Sequence, residues 1–206
     1  VLAAAGTLLL ASLTLAAPAA ASFQSCVQAM WPAARSAGVS QATFTQATSR
    51  LTPDPDTVRL MSKQSEFVKP IWDYLDSAVS TSRITTGRQM AQKYASQLAA
   101  IERRYGVEGQ VVLAVWGVET SYGSYMGKHN AIRALATLAC DAPDRRDYWR
   151  QEFVTALQIV QAGHVSVANM ESSWAGAMGH TQFMPSSWRQ HSADYEGDGK
   201  NDIWTN

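Results

Sequence analysis

The chain of 206 residues has only two cysteines and four histidines, and none of them is spaced as a zinc site: H-E-x-x-H and C-x-x-C are both missing. It has no block of like charge. Seventeen basic residues balance seventeen acidic ones, which argues against nucleic acid as the main partner. GAMGHT lacks the Lys-Ser/Thr ending of a phosphate loop, and no serine sits in a G-x-S-x-G elbow. Nothing therefore points to Ser/His/Asp catalysis. There is no internal repeat, no convincing run of alternating strand residues and no long linker. What remains is one domain with a substantial core, built mostly from helix.

The N-terminal stretch VLAAAGTLLLASLTLAAPAAASF is apolar and then small, and Ala19-Ala20-Ala21 matches an A-x-A cleavage pattern. Residue 1 is Val with no basic segment before it, so residues 1–21 read as a signal peptide whose start is missing, with the exported domain at 22–206. A membrane anchor fits less well, because the apolar run is short and ends at Pro18. In an oxidising compartment an even cysteine count favours pairing of Cys26 with Cys140. Two buried thiols are the alternative. Lipid attachment at Cys26 is a third reading that Phe23-Gln24-Ser25 suits poorly, and a soluble protein is expected.

Helical spacing dominates residues 22–206. Ser40 is placed to cap a helix carrying Phe44 and Ala47, and LTPDPD at 51–56 breaks it. Thr57 to about Ser80 reads as helix, interrupted at Pro70. Met90, Tyr94, Leu98, Ile101 and Tyr105 recur at helical spacing up to Gly106. Asn130 caps an apolar helix through Leu138. Asp144 with Asp147 opens another, with Trp149, Phe153, Ala156, Leu157 and Val160 on one face and Gly163 at its end. A further helix starts at about Pro185. The expected class is mostly α, with β-structure confined to short hairpins around the loops.

Chemistry enters at VLAVWGVETSYG, residues 112–123. Its one carboxylate, Glu119, lies in an apolar helix beside Val115, Trp116 and Val118, and such surroundings raise a carboxyl pKa. An acid still protonated near neutral pH can protonate the leaving oxygen of a glycosidic bond. Further on, SSWAGAMGHTQFMPSSW is the Gly-rich, aromatic, uncharged kind of loop that lines a cleft. Arg145 and Arg146 fall at a helix start, where the helix dipole disfavours cations; that placement suits an anionic ligand such as a peptide carboxylate. In DYEGDGKNDIW, Asp194, Glu196 and Asp198 occupy positions 1, 3 and 5 of a calcium loop, Gly199 position 6, Lys200 (through its carbonyl) position 7 and Asp202 position 9. The match to an EF-hand is incomplete: Thr205 stands at position 12, where a bidentate Glu belongs.

Taken together, WGVETSYG, IRALATL, SWAGAMGHTQFMPSSW and the D-x-x-G-D-G loop, in that order, make the chain from about Phe23 onward resemble the B-type lytic murein transglycosylases, bacterial enzymes that cleave peptidoglycan. The resemblance implies a lysozyme-like α+β fold with Glu119 as its single catalytic acid and calcium in the EF-hand-like loop. It also implies that Ser173, Gln182, Met178 and Phe183 line the sugar cleft, and that Tyr74, in IWDYL, is a cleft aromatic. The family pattern has an Arg pair directly after Pro143; here Asp144 takes the first place, so peptide-stem contact falls to Arg145. The family continues past Asn206 with further cleft aromatics and the last calcium carboxylate, so a domain incomplete at its C-terminus is expected.

The implied reaction cleaves the β-1,4 bond between N-acetylmuramic acid and N-acetylglucosamine and closes a 1,6-anhydro ring. It needs no cofactor for the chemistry, with calcium as a structural ion. The expected setting is the periplasm and the expected partner is the glycan strand, with other cell-wall enzymes as further candidates, no nucleic acid and a monomeric protein. A lysozyme-type hydrolase on the same fold and a non-catalytic wall-binding protein are the alternatives.

Overall fold

The computed structural model describes residues 19–61 and 69–205. Residues 1–18, most of the expected signal peptide, lie outside the described residues, as does the middle of the expected 57–80 helix. Helix α1 (Ala19–Ala29) is followed by α2 (Trp31–Ser36), α3 (Gln41–Thr48) and α4 (Pro55–Leu60), and then by α5 (Ile71–Ala78), α6 (Thr81–Lys93), α7 (Ala95–Tyr105) and α8 (Gly109–Thr120). Strand β1 (His129–Asn130), α9 (Ala131–Asp141), α10 (Arg146–Gln161), β2 (Glu171–Ser172) and α11 (Pro185–His191) complete the order. The two strands pair antiparallel, His129 opposite Ser172 and Asn130 opposite Glu171. The class is therefore mostly α with one small two-stranded sheet, as the sequence indicated, but its strands are joined through α9 and α10 and not by a hairpin turn.

The core forms around α9 and α10. Ile132, Leu135 and Leu138 from α9 pack with Phe153, Leu157 and Ile159 from α10, all of them buried. Asn130 caps α9 by accepting from the Arg133 amide at 3.3 Å, and Ser40 caps α3 from the Thr43 amide at 3.1 Å. Helix α11 has no side-chain cap of its own. Buried Glu152, from α10, accepts from the Ser186 amide (2.9 Å) and hydroxyl (2.5 Å) and so satisfies one free N–H of that first turn.

Phe23 and Val27 bring α1 onto the same core, Met30 just beyond it joins them, and a disulfide from Cys26 to Cys140, Cα–Cα 5.9 Å, fastens α1 to α9. The cysteines pair, and with its sulfur in that bond Cys26 offers no thiol for lipid attachment. Among the described residues no helix is long and apolar enough to cross a membrane.

Two expectations are corrected here. The periodic residues from Met90 to Tyr105 do not form one helix: α6 and α7 break at Tyr94 (φ −108°, ψ 23°), and neither contains a buried residue. Asp144 does not cap α10. Arg145 is the N-cap instead, in the left-handed region (φ 52°) and with no side-chain cap bond.

Candidate active site

Helix α8 carries Glu119 in its last turn and ends by a left-handed reversal. Ser121, Tyr122 and Gly123 have φ of 49°, 60° and 79°, and the amides of Ser121 and Tyr122 return to the carbonyls of Gly117 and Trp116. This abrupt stop brings the Tyr122 ring back against α8 and α6. There its hydroxyl donates to the Arg83 carbonyl at 3.1 Å. Gly117 is required for that approach, since a Cβ there would stand 2.6 Å from the ring. Trp116 is wedged among Tyr94, Tyr122 and His180, with ring centroids 5.6–5.7 Å away, and its indole N–H donates to His180 Nδ1 at 3.0 Å. Thr120 donates to the His180 carbonyl at 3.1 Å. Aromatic packing and these two bonds thus tie the turn bearing Glu119 to the loop before α11.

Glu119 opens into a pocket of about 160 Å³ whose wall also includes Tyr125, Lys128, His129, Ser173, Trp174 and Gln182. Among the described residues it is the only carboxylate in that wall, and it has no hydrogen bond or ion pair. Desolvation by the surrounding walls raises its pKa above the usual carboxyl value. Its place at the negative end of the α8 dipole acts in the same direction. The apolar surroundings expected from Val115 and Val118 are not found: both are about half exposed, at 53% and 48%. Within α8 only Leu113, Gly117 and Thr120 are buried, so the desolvation comes from the cleft walls rather than from helix neighbours.

The neutral polar groups are held by their own loop. Ser173 Oγ accepts from the amides of Ala175 (3.3 Å) and Ala177 (3.2 Å), which leaves its O–H free to donate outward. Gln182, with φ 49°, donates from Nε2 to the Met126 and Gly179 carbonyls at 3.1 and 3.0 Å. Its Oε1 has no partner among the described residues. A non-glycine residue in that backbone region is strained, and such strain gathers at ligand sites.

Glu119, Ser173 and Gln182 are thus brought together; the other expected cleft residues are not. Met178 is fully buried, turned into the core by its bridges to Ser172 and Phe183, so it backs the loop instead of facing a sugar. Phe183 packs against the core. Tyr74, on α5, lies outside the pocket wall. So does Arg145, whose guanidinium stacks over Tyr148 at 4.3 Å and Trp149 at 5.3 Å. Arg146 donates to the Ala142 carbonyl at 2.7 Å. The sequence reading missed Tyr125, Lys128 and His129 as wall residues. Their only local signal was their position between the end of α8 and the capping Asn130.

The acidic loop at 194–202 turns at Gly197 (φ 74°) and Gly199 (φ 83°). Its donors are all oxygen, which suits a hard cation. The expected ligands Asp194, Glu196, Asp198 and Asp202 are nevertheless not gathered: among the described residues no group of three or more acidic, His or Cys side chains is placed to hold a metal. Asp194 accepts from the amides of Gly197 (2.6 Å) and Gly199 (2.8 Å), and the bond from Gly199 is the largest influence holding its pKa below the usual value. Asp198 accepts from the Lys200 amide at 2.9 Å. Asp202 is engaged by the Trp204 and Thr205 amides and the Thr205 hydroxyl.

Residues 22–206 match the family model described as the transglycosylase SLT domain. Membrane-bound lytic murein transglycosylase B of Escherichia coli (strain K12) is 34% identical over 131 residues, which is 64% of this chain and 36% of that protein. The structure of SltB3 from Pseudomonas aeruginosa in complex with NAG-NAM-pentapeptide superposes with a TM-score of 0.85 at 39% identity, covering 89% of this chain and 49% of that one. The lytic transglycosylase Slt35 of Escherichia coli, in complex with calcium, superposes with a TM-score of 0.76 at 29% identity, covering 89% of this chain and 58% of that one. The chain thus spans between about a third and three fifths of these relatives. The fold is the lysozyme-like one of the lytic transglycosylases, and the chain belongs to the transglycosylase SLT domain family.

Proposed function

We propose that this protein is a lytic transglycosylase that cleaves the β-1,4 bond between N-acetylmuramic acid and N-acetylglucosamine in peptidoglycan, with Glu119 as its one acid and base. The observation that carries the reading is an unpartnered carboxyl of raised pKa in a pocket shared with Ser173 and Gln182. In the first step the Glu119 carboxyl gives its proton to the glycosidic oxygen as the bond from C1 breaks. The resulting carboxylate then takes the proton of the muramyl 6-hydroxyl as that oxygen bonds to C1, and the 1,6-anhydro ring closes. The acid is regenerated and no water is consumed. A tethered nucleophile has a high effective molarity, which replaces the second carboxylate that a hydrolase needs. Ser173, through its free O–H, and Gln182, through Oε1, orient the sugar. Trp174 and Tyr125 supply flat faces for the rings. On the family pattern, Arg145 is assigned to the peptide stem and Tyr74 to the cleft as an aromatic.

The same reading places the protein in the periplasm as an exported, monomeric domain acting on glycan strands. Incubation with purified sacculi tests it: soluble muropeptides are expected, and intact sacculi after prolonged incubation would reject the activity.

A calcium ion would be held by Asp194, Glu196, Asp198, Asp202 and the Lys200 carbonyl, where it would brace the segment after α11 and take no part in bond cleavage. A ligand that binds only the native state stabilises it by about 2.7 kcal/mol at a hundredfold excess over its Kd, or roughly 5–10 °C in a domain of this size. Calcium should raise the melting temperature of the full-length protein, and Asp198→Ala should abolish the rise. Indifference to both calcium and chelator would refute the site.

A further inference from the structure

One residue of the pocket wall beside Glu119, His129, belongs to an ionisable pair that the mechanism leaves unused. His129 Nδ1 lies 2.8 Å from Asp54 Oδ2, although the two residues are 75 positions apart, and their side chains are only 7% and 8% exposed. Asp54 is anchored from several directions. Its amide donates to Thr137 Oγ1 at 2.9 Å, its Oδ1 accepts from the Asp56 amide at 3.1 Å, and the Arg133 guanidinium stands 3.8 Å from Oδ2. Burial alone would raise the Asp54 carboxyl, but the hydrogen bond and charge of His129, with Arg133, outweigh it and hold the group below the usual aspartate value. An ionised carboxylate only accepts, so Nδ1 carries the hydrogen.

That assignment leaves Nε2. It has no hydrogen-bond partner among the described residues. Among the described residues, the fully enclosed side-chain polar atoms without a partner are Arg83 Nε, Trp149 Nε1 and Thr181 Oγ1. Nε2 of His129 is not one of them, so it is not fully enclosed, and His129 belongs to the wall of the Glu119 pocket. The residue cannot readily swing away, because its backbone is paired with Ser172, whose hydroxyl donates to the His129 carbonyl at 3.4 Å. A histidine held by a carboxylate at one nitrogen has its other nitrogen aimed.

Resting on the function proposed above, we infer that His129 is a substrate-contacting residue: Asp54 fixes its ring so that Nε2 hydrogen-bonds a hydroxyl or acetamido group of the aminosugar seated beside Glu119. Such groups both donate and accept, so the contact survives either protonation state of the ring. Asp54 is a positioning residue that acts through His129.

Two isosteric changes separate this role from a merely structural tie. In His129→Asn the amide nitrogen falls near the place of Nδ1, so the Asp54 bond is kept and the pocket-facing atom is lost. In His129→Gln the amide reaches near the place of Nε2, and the Asp54 bond is lost. Both are made in full-length Glu119→Gln protein, so that a bound GlcNAc–MurNAc-peptide fragment is not turned over. Affinity is read by calorimetry and stability by melting. His129→Asn is expected to melt close to its parent and bind at least about tenfold more weakly, and His129→Gln to recover part of that affinity despite a lower melting temperature. Unchanged binding in His129→Asn, or equally weak binding in both variants, would overturn the role of His129. A Glu119→Gln parent that does not bind the fragment at all would overturn the proposed function together with this inference.

Discussion

Glu119→Gln should lower the rate of glycan cleavage by at least about a hundredfold, the lower end of what a general acid contributes, while leaving the fold intact. The fold should survive because Glu119 is exposed and makes no hydrogen bond or ion pair among the described residues. Linkage fixes the sign of the stability change. Because the folded-state pKa of Glu119 is raised by desolvation, the native state loses stability as pH rises from the unfolded to the folded value. Glutamine removes that penalty, so the variant should melt no lower than wild type at neutral pH. The same shift governs activity. The protonated form does the work, so the alkaline limb of the pH–rate profile should lie above the ordinary carboxyl value of 4.5. Activity within a few-fold of wild type would remove Glu119 from the mechanism.

Replacing both Cys26 and Cys140 by Ala should cost about 2–5 kcal/mol, because the bond closes a loop between residues 114 positions apart and constrains the unfolded chain. Native packing of α1 should survive its loss. Phe23, Val27 and Met30 remain in the core, so the variant should fold to the same structure and unfold at lower denaturant concentration. Thiol titration of the denatured, unreduced wild type should find no free cysteine. An unfolding midpoint equal to that of the wild type would show that the bond adds nothing.

Local signals accounted for much of the helix framework. Ser40 and Asn130 cap the helices they precede, Gly106 ends α7 in the left-handed region (φ 70°), and Pro70 stands just before α5. The break at Tyr94 left no mark in the sequence because the three- and four-residue spacing runs straight through it. Met178, which the resemblance assigns to the cleft, is buried, because its loop is bridged to β2 and to Phe183 by pairings that short-range pattern does not reveal. Arg145 was expected inside a helix turn and instead precedes it, stacked on Tyr148 and Trp149. The Asp54–His129 pair was the least legible feature, since it depends on the TPDPD turn meeting β1 across the fold. Glu119, Ser173 and Gln182, which line one pocket, each stand in a dense motif of the sequence.

In the proposed reaction one carboxyl group serves two successive steps and no water enters. The mass of the released muropeptides tests this most directly. Purified sacculi digested to completion with the full-length protein should yield muramyl products that lack a reducing end and are lighter by one water than those of a lysozyme digest. Products dominated by reducing-end muramic acid would contradict the account and identify a hydrolase, with a second base, on the same fold.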